Sequence, residues 1–386
     1  MNYDVIIVGA GPGGSQCARK LAQAGLRVAV YDRRQEIGAP KRCGEGVDTR
    51  AEEYTGKIPE NCIRQRINGF KLFVPDGRTI EVETKISGYI LERKVFDKWL
   101  AIEASKAGAY VRADSDVHEL IIEGGKVVGV KGKFIGEPFE ARADVIVIAT
   151  GAESRLARQA GFKNVCNPNL IDTCMQYEIA GAKIKHNMIN IVIGKEIAPR
   201  GYIWFFSKGD TANIGIGIVP GEKSPKYYLD KYIDAHPGLK GSIIEVNAGI
   251  VPLGGMLEDM AMDGALIIGE AALLVNPIHG GGIHEALISG DIAADVITAA
   301  HKKKDFTKKS LGEFNGLWHK KRGVHLKSTE KLREIFDHMD DKDMNDVADA
   351  VHNEDLEDMV MGKKMSVMAK VLIRKPKFIK MVGHLL

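Results

Sequence analysis

The sequence predicts an α/β chain that opens with a Rossmann-like, dinucleotide-binding unit, and three observations near its start predict it. Residues 3–8, YDVIIV, form a continuous apolar run of buried-strand length. The glycine-rich turn Gly9-Ala10-Gly11-Pro12-Gly13-Gly14 follows at once and opens a helical stretch that Gly25 stops. A second strand, RVAVYD, then ends in Asp32, 18 residues after Gly14. A GxGxxG alone says little, but a strand before it, a helix after it and a closing acid make it specific.

Each part of the unit has a physical task. Gly9 permits the tight turn, Gly11 lets the backbone approach a pyrophosphate and Gly14 lets helix pack on strand, with Gly13 in the same loop. The helix N-terminus then holds negative charge. Asp32 accepts from an adenosine-ribose hydroxyl, with Arg33 beside it as a further cofactor contact. This unit by itself leaves NAD and FAD open.

The bulk numbers bound the rest. A chain of 386 residues with 45% apolar content buries a sizeable core and suggests two or three interlocked domains. A net charge of +3 is too mild to argue for nucleic acid, and no basic-aromatic interleaving appears. The five cysteines, Cys17, Cys43, Cys62, Cys166 and Cys174, are odd in number and widely spaced, without CxxC or zinc spacing. That predicts reduced thiols, a cytoplasmic location and no metal site. The apolar run at the N-terminus is too short for a signal peptide and no window spans a bilayer, so membrane contact is expected to be peripheral.

Further along, YILERKVFDKWL (89–100) places Arg93 just before an amphipathic helix. SDVHELIIEGGKVVGVKG reads as a hairpin turned at Gly124-Gly125, with Val117 as plain core. ADVIVIATGAES (143–154) is a buried strand running into Thr150-Gly151. In GALIIGEAALLVNPIHGGGIHEAL (264–287) a buried strand delivers Glu270 toward ribityl hydroxyls. Gly280, Gly281 and Gly282 then start a helix, with Ile283 at its head, whose N–H groups can face the O2 edge of a reduced flavin. This combination favours flavin over NAD.

These segments together resemble the flavoprotein family built like para-hydroxybenzoate hydroxylase. The resemblance implies that Arg93 contacts the pyrophosphate region, that Val117 packs near the adenine, that Gly151 lies on the strand crossing back to the FAD domain, and that Glu270, where the family has Asp, still contacts FAD. Two more motifs narrow it: RCGEG after the second strand, and GYIWFFSKGDTANIGIG (201–217). The latter resembles the geranylgeranyl reductase branch, Tyr-x-Trp-x-Phe-Pro followed after seven or eight residues by Gly-x-Gly. Tyr202, Trp204 and Phe206 match, with Gly215 and Gly217 at the required distance, while Ser207 replaces the usual Pro.

The implied architecture is a Rossmann-like FAD-binding domain (1–170 and 245–300) interleaved with an antiparallel-sheet substrate domain (171–244, with a contribution from 65–90). A helical C-terminal region covers 301–386. The implied activity is saturation of geranylgeranyl chains on the ether glycerophospholipids of archaeal membranes, with FAD as cofactor. The external electron donor, whether ferredoxin, a deazaflavin or NAD(P)H, stays open. Rival activities on the same fold are a flavin monooxygenase and a membrane electron-transfer flavoprotein; relatives of the latter carry a four-cysteine iron–sulfur domain, and no cysteine follows Cys174 here.

Strand alternation puts Tyr202, Trp204 and Phe206 on one face and Ile203 and Phe205 on the other. The aromatic face reads as core or as a wall for a long apolar ligand, and the branch match favours the wall. An isolated alkene is a poor hydride acceptor, so a proton must lead or accompany the hydride. The resemblance implies that the loop with Arg42, Cys43, Gly44 and Gly46 packs beside the isoalloxazine. Cys43 would then touch flavin and substrate together and give or relay the proton; a packing role is the alternative. His279 is a second donor candidate.

The tail is acidic between Asp337 and Asp358, and from Met359 to Leu386 carries seven Lys/Arg and no acid. It reads as a dock for an anionic lipid surface or as a solvated basic face.

Overall fold

The computed structural model describes residues 2–163, 165 and 170–350. Cys166 and the basic tail lie outside them.

Two eight-stranded sheets organise the chain. The first runs β15 (Ala261–Met262), β16 (Ala265–Ile267), β9 (Glu137–Ile148), β1 (Asn2–Val8), β2 (Val28–Tyr31), β6 (Tyr110–Arg112). Its centre is parallel: β1 lies between β2 and β9, and Val5 faces Val28 on one side and Val145 on the other. Buried on both faces, these strands are continuous in Val and Ile, as the sequence anticipates. The hairpin β7 (Ser115–Glu123) and β8 (Lys126–Phe134) turns at Gly124-Gly125 and extends this sheet antiparallel to β9.

Helix Pro12–Gln23 packs against the long helix Ile283–Lys303. Glycine permits the approach: a Cβ on Gly290 would stand 2.2 Å from the Gly13 carbonyl oxygen. The two glycine-rich turns, some 270 residues apart in sequence, are thereby held side by side.

The second sheet runs β14 (Ser242–Pro252), β10 (Ile171–Ala180), β13 (Thr211–Ile218), β12 (Tyr202–Ser207), β11 (Met188–Val192), β4 (Ile63–Phe73), β5 (Thr79–Leu91), β3 (Gly46–Asp48). All its pairs are antiparallel except β11 with β4. Its outer face buries Ile203, Phe205, Ile214 and Ile216 with Leu229 of helix Pro225–Ala235. The expected boundary at 245 is corrected: β14 pairs with β10 from Ser242 to Pro252, because β10 lies inside the sheet and needs partners on both edges. Residues 46–48 join the same sheet, so the first segment contributes more than 65–90.

From Lys308 to Ala350 the chain is mainly helical, with a π-helical turn at His319–Gly323 leading into helix Val324–His338, then Asp341–Ala350. Arg333 pins this region to the sheet. It is buried, reaches Asp172 of β10 (3.1 Å) and Asp337 (2.7 Å), and donates to the Pro277 and Arg200 carbonyls.

Candidate active site

A cavity of about 940 Å³ lies between the two sheets and the C-terminal helices, and every site residue singled out from the sequence lines it. One end is made of backbone. Gly11 and Gly282 are the N-caps of their helices, neither with a side-chain cap, so first-turn N–H groups are left for an anion or a carbonyl edge. A Cβ on Gly14 would stand 2.0 Å from the Gly9 carbonyl oxygen, and one on Gly9 2.3 Å from that of Ala149, whereas Gly11 has open space before it. This is a cradle that side chains would fill, and it fits a dinucleotide pyrophosphate. Asp32 is buried and its carboxylate accepts from the Ala10 N–H (2.8 Å) and the Arg34 N–H (2.9 Å), bracing the turn while keeping lone pairs for a ribose hydroxyl. Arg33 pairs with Glu153 (2.5 Å) at the rim and Val117 is buried.

Glu270, just after β16, lies near Gly151, and enclosure by protein pushes its carboxyl up to about 7. Arg42 is exposed at the mouth. Arg93 heads helix Arg93–Lys106 and pairs with Asp97 (2.7 Å).

The other end is made of side chains. On β12, Tyr202, Trp204 and Phe206 form a row, with ring centroids 5.9 Å and 6.4 Å apart. Their partners across the ladder on β13 are Gly217, Gly215 and Asn213. A Cβ on Gly215 would stand 2.3 Å from the Trp204 ring, so Gly-x-Gly makes room for the indole to lie across the sheet. Ser207, where the branch has Pro, is buried and takes the Gly209 N–H (3.3 Å) and His186 (2.8 Å), serving the turn. The Trp204 indole donates to Gln176 (2.8 Å), whose amide donates to the Cys43 carbonyl (3.2 Å). Gly44 lies against the same wall, where a Cβ would stand 3.1 Å from the Phe206 ring. The cavity is also lined by apolar side chains, Leu72, Ile189 and Ile191 of the sheet and Ile335, Phe336 and Met344 of the C-terminal helices.

Burial pushes the Cys43 thiol up, while the Arg93 guanidinium and the Glu45 N–H, 3.2 Å from Sγ, favour the thiolate. His279 changes its standing. Its ring is open to the cavity but surrounded by protein, and this desolvation pushes the imidazole down to about 4. Its Nδ1 accepts from the Gly281 N–H (3.1 Å), which puts the one proton of the neutral ring on Nε2. A neutral imidazole is a poor acid, which favours Cys43 over His279 as the proton donor. Its carbonyl instead accepts from the Tyr202 hydroxyl (2.6 Å).

Sequence reading missed the charged cluster behind this end. Lys41, Glu45 and Lys208 have fully buried side chains and meet Glu178 and Asn213. Lys41 and Glu45 bracket Cys43 in PKRCGEG, which was a local signal; Glu178, Lys208 and Asn213 stand more than 130 residues away and gave none. The four described cysteines are free. Asp4, Asp144 and His301 bring three ligand-type atoms within 4.8 Å of one another, but none lines the cavity and Arg27 engages Asp4 (2.8 Å), so no metal is assigned.

Residues 3–194 match the family described as pyridine nucleotide-disulphide oxidoreductase, and residues 171–251 match the geranylgeranyl reductase catalytic domain. The fold, the glycine cradle and these matches define an FAD-dependent oxidoreductase. The chain is 36% identical to digeranylgeranylglycerophospholipid reductase 2 of Methanopyrus kandleri over 100% of both chains. It is 37% identical to digeranylgeranylglycerophospholipid reductase of Methanocella arvoryzae, over 98% of this chain and 97% of that one. It belongs to the digeranylgeranylglycerophospholipid reductase family. The crystal structure of a geranylgeranyl bacteriochlorophyll reductase-like protein from Thermoplasma acidophilum superposes with a TM-score of 0.91 at 32% identity, covering 100% of this chain and 99% of that one. The FAD-dependent halogenase CndH, at 20% identity and TM-score 0.72 over 84% and 81% of the chains, shares the fold.

Proposed function

We propose that this chain reduces the double bonds of geranylgeranyl chains on archaeal ether glycerophospholipids, a step of membrane lipid biosynthesis. The observation that carries the reading is the packing of the Cys43 loop against the Tyr202, Trp204 and Phe206 wall in the cavity that also holds the glycine cradle. A prenyl chain offers only dispersion and burial as handles, and the apolar lining of the cavity supplies both.

FAD, when bound, supplies the hydride. Gly9, Gly11, Gly13 and Gly14 would hold its pyrophosphate, Asp32 its ribose, Glu270 its ribityl hydroxyls, and Gly281 and Gly282 the edge of its ring. The aromatic row orients the alkene and excludes water, and Cys43 Sγ gives the proton. Tyr202 holds the loop of His279 through its carbonyl, and that ring stays neutral. The reductant that restores the hydride comes from outside the chain, as ferredoxin, a deazaflavin or NAD(P)H.

Access to a membrane lipid calls for peripheral contact. No helix among the described residues is long and apolar enough to cross a bilayer. On the turn and helix after residue 316, Leu317 and Val324 are exposed beside the exposed lysines Lys320, Lys321 and Lys327, a mixture suited to an anionic lipid surface. Sedimentation with anionic against zwitterionic vesicles tests this, and equal recovery would refute it.

To test the activity, the purified holoprotein is reduced anaerobically and given a digeranylgeranylglyceryl phospholipid. Product mass should rise by two hydrogens per double bond. Turnover only with oxygen and a small aromatic would replace this reading by monooxygenation.

A further inference from the structure

Glu45 occupies a backbone position that rarely takes a side chain. Its φ is +75°, in the left-handed region, and it is completely buried. A glycine would sit there without strain, so the carboxylate must do something that glycine cannot. Every polar group of the residue is used. Its N–H donates to Cys43 Sγ (3.2 Å) and its carbonyl accepts from Leu91 (2.9 Å). Oε1 accepts from the N–H of Arg93 (2.8 Å), the first residue of its helix. Oε2 accepts from Asn213 (2.7 Å), Lys208 (2.8 Å) and Lys41 (3.1 Å). Asn213 also donates to the Gly44 carbonyl (3.2 Å), and Lys208 also reaches Glu92 (3.0 Å) and Glu178 (3.2 Å). One residue therefore ties the loop to β13 and to the helix that carries Arg93 through its carboxylate, and to the end of β5 through its carbonyl.

We propose that Glu45 is the positioning residue for Cys43, holding its own N–H and the Arg93 guanidinium against Sγ so that they receive the thiolate. The inference rests on the reading of Cys43 as proton donor. In that step the S–H bond breaks, its electron pair stays on sulfur, the proton goes to the alkene carbon, and a proton from solvent later restores the thiol. The groups acting on Sγ are Arg93 and the Glu45 N–H, which stabilise the anion, and the Glu45 carboxylate, which opposes it; the Tyr202 phenol nearby is kept protonated by burial and adds no charge.

That opposition gives the test a sign. In the FAD-bound protein, iodoacetamide labelling of Cys43 is followed against pH by peptide mass, for the wild type, Glu45→Gln and Asn213→Ala. If Glu45 positions, freeing the loop displaces both donors, and Glu45→Gln should move the labelling midpoint upward, slowing labelling about tenfold at pH 8. Asn213→Ala alters no charge and should shift it the same way by less, which keeps the test open should Glu45→Gln not fold. With lipid, Glu45→Gln should lower kcat about tenfold with KM within about twofold. A downward shift would reduce Glu45 to a local negative charge, and an unchanged midpoint with a lower Tm would make it structural only; either overturns the proposal. Labelling needs no lipid, so a failed lipid assay would leave this result legible.

Discussion

The two ends of the cavity are built from different materials. The cofactor end is backbone: glycine turns and helix N-termini brought together by a close helix pair, with Asp32 and Glu270 as its main polar side chains. The proposed catalytic end is side chain: an aromatic row seated on glycines, a cysteine loop and a buried cluster of lysines and glutamates. Backbone sites tolerate no added atom, whereas side-chain sites lose rate or affinity in proportion to what is removed. Substitutions at the two ends should therefore fail differently.

The largest effect is expected at the backbone end. In Gly14→Val the Cβ would fall 2.0 Å from a carbonyl oxygen that cannot move without opening the turn. The protein should purify without flavin or not at all, as the ratio of flavin absorbance to protein would report. Next is Cys43→Ser, which should keep its FAD and lose about 100-fold in kcat, read by lipid turnover; loss of FAD instead would blur the two ends.

Glu270 sharpens the comparison through pH. Its folded carboxyl titrates near 7 and the ordinary value is 4.5. Between these values the flavin-free folded chain keeps a proton that the unfolded chain has released, so stability falls as pH rises through that window. Glu270→Gln should then be more favourable at pH 8 than at pH 4, on the order of 3 kcal/mol in denaturant unfolding. A pH-independent difference would mean that this carboxyl is solvated. The smallest effect is expected for Gly215→Ala. A methyl group 2.3 Å from the Trp204 ring should tilt the indole and raise KM for lipid about tenfold with FAD retained.

The same contrast explains what was legible in the sequence. The cofactor end is local: Gly9 to Gly14 and Gly280 to Gly282 are contiguous, and the strands before them are unbroken apolar runs. The Tyr-x-Trp-x-Phe and Gly-x-Gly elements were legible as a pair because β12 and β13 form one hairpin, and the ladder that sets Trp204 over Gly215 explains their spacing. The partners of Glu45 were not legible, since Lys208 and Asn213 reach it only through the tertiary fold. The boundary at 245 failed for a related reason: β14 shows the alternation of an edge strand, but only its pairing with β10 says which sheet it joins. At His279 a sequence shows a histidine but not the Gly281 N–H that occupies its Nδ1.

The central proposal is that Cys43 gives the proton that accompanies the hydride of the flavin. A single anaerobic turnover tests it: holoprotein reduced stoichiometrically, mixed with geranylgeranyl lipid, with flavin reoxidation followed by absorbance in wild type and Cys43→Ser. The account predicts rapid reoxidation matched by saturated product in the wild type, and a flavin that stays reduced about 100-fold longer in the variant. Equal rates would show that the proton does not pass through Cys43 and would contradict the account.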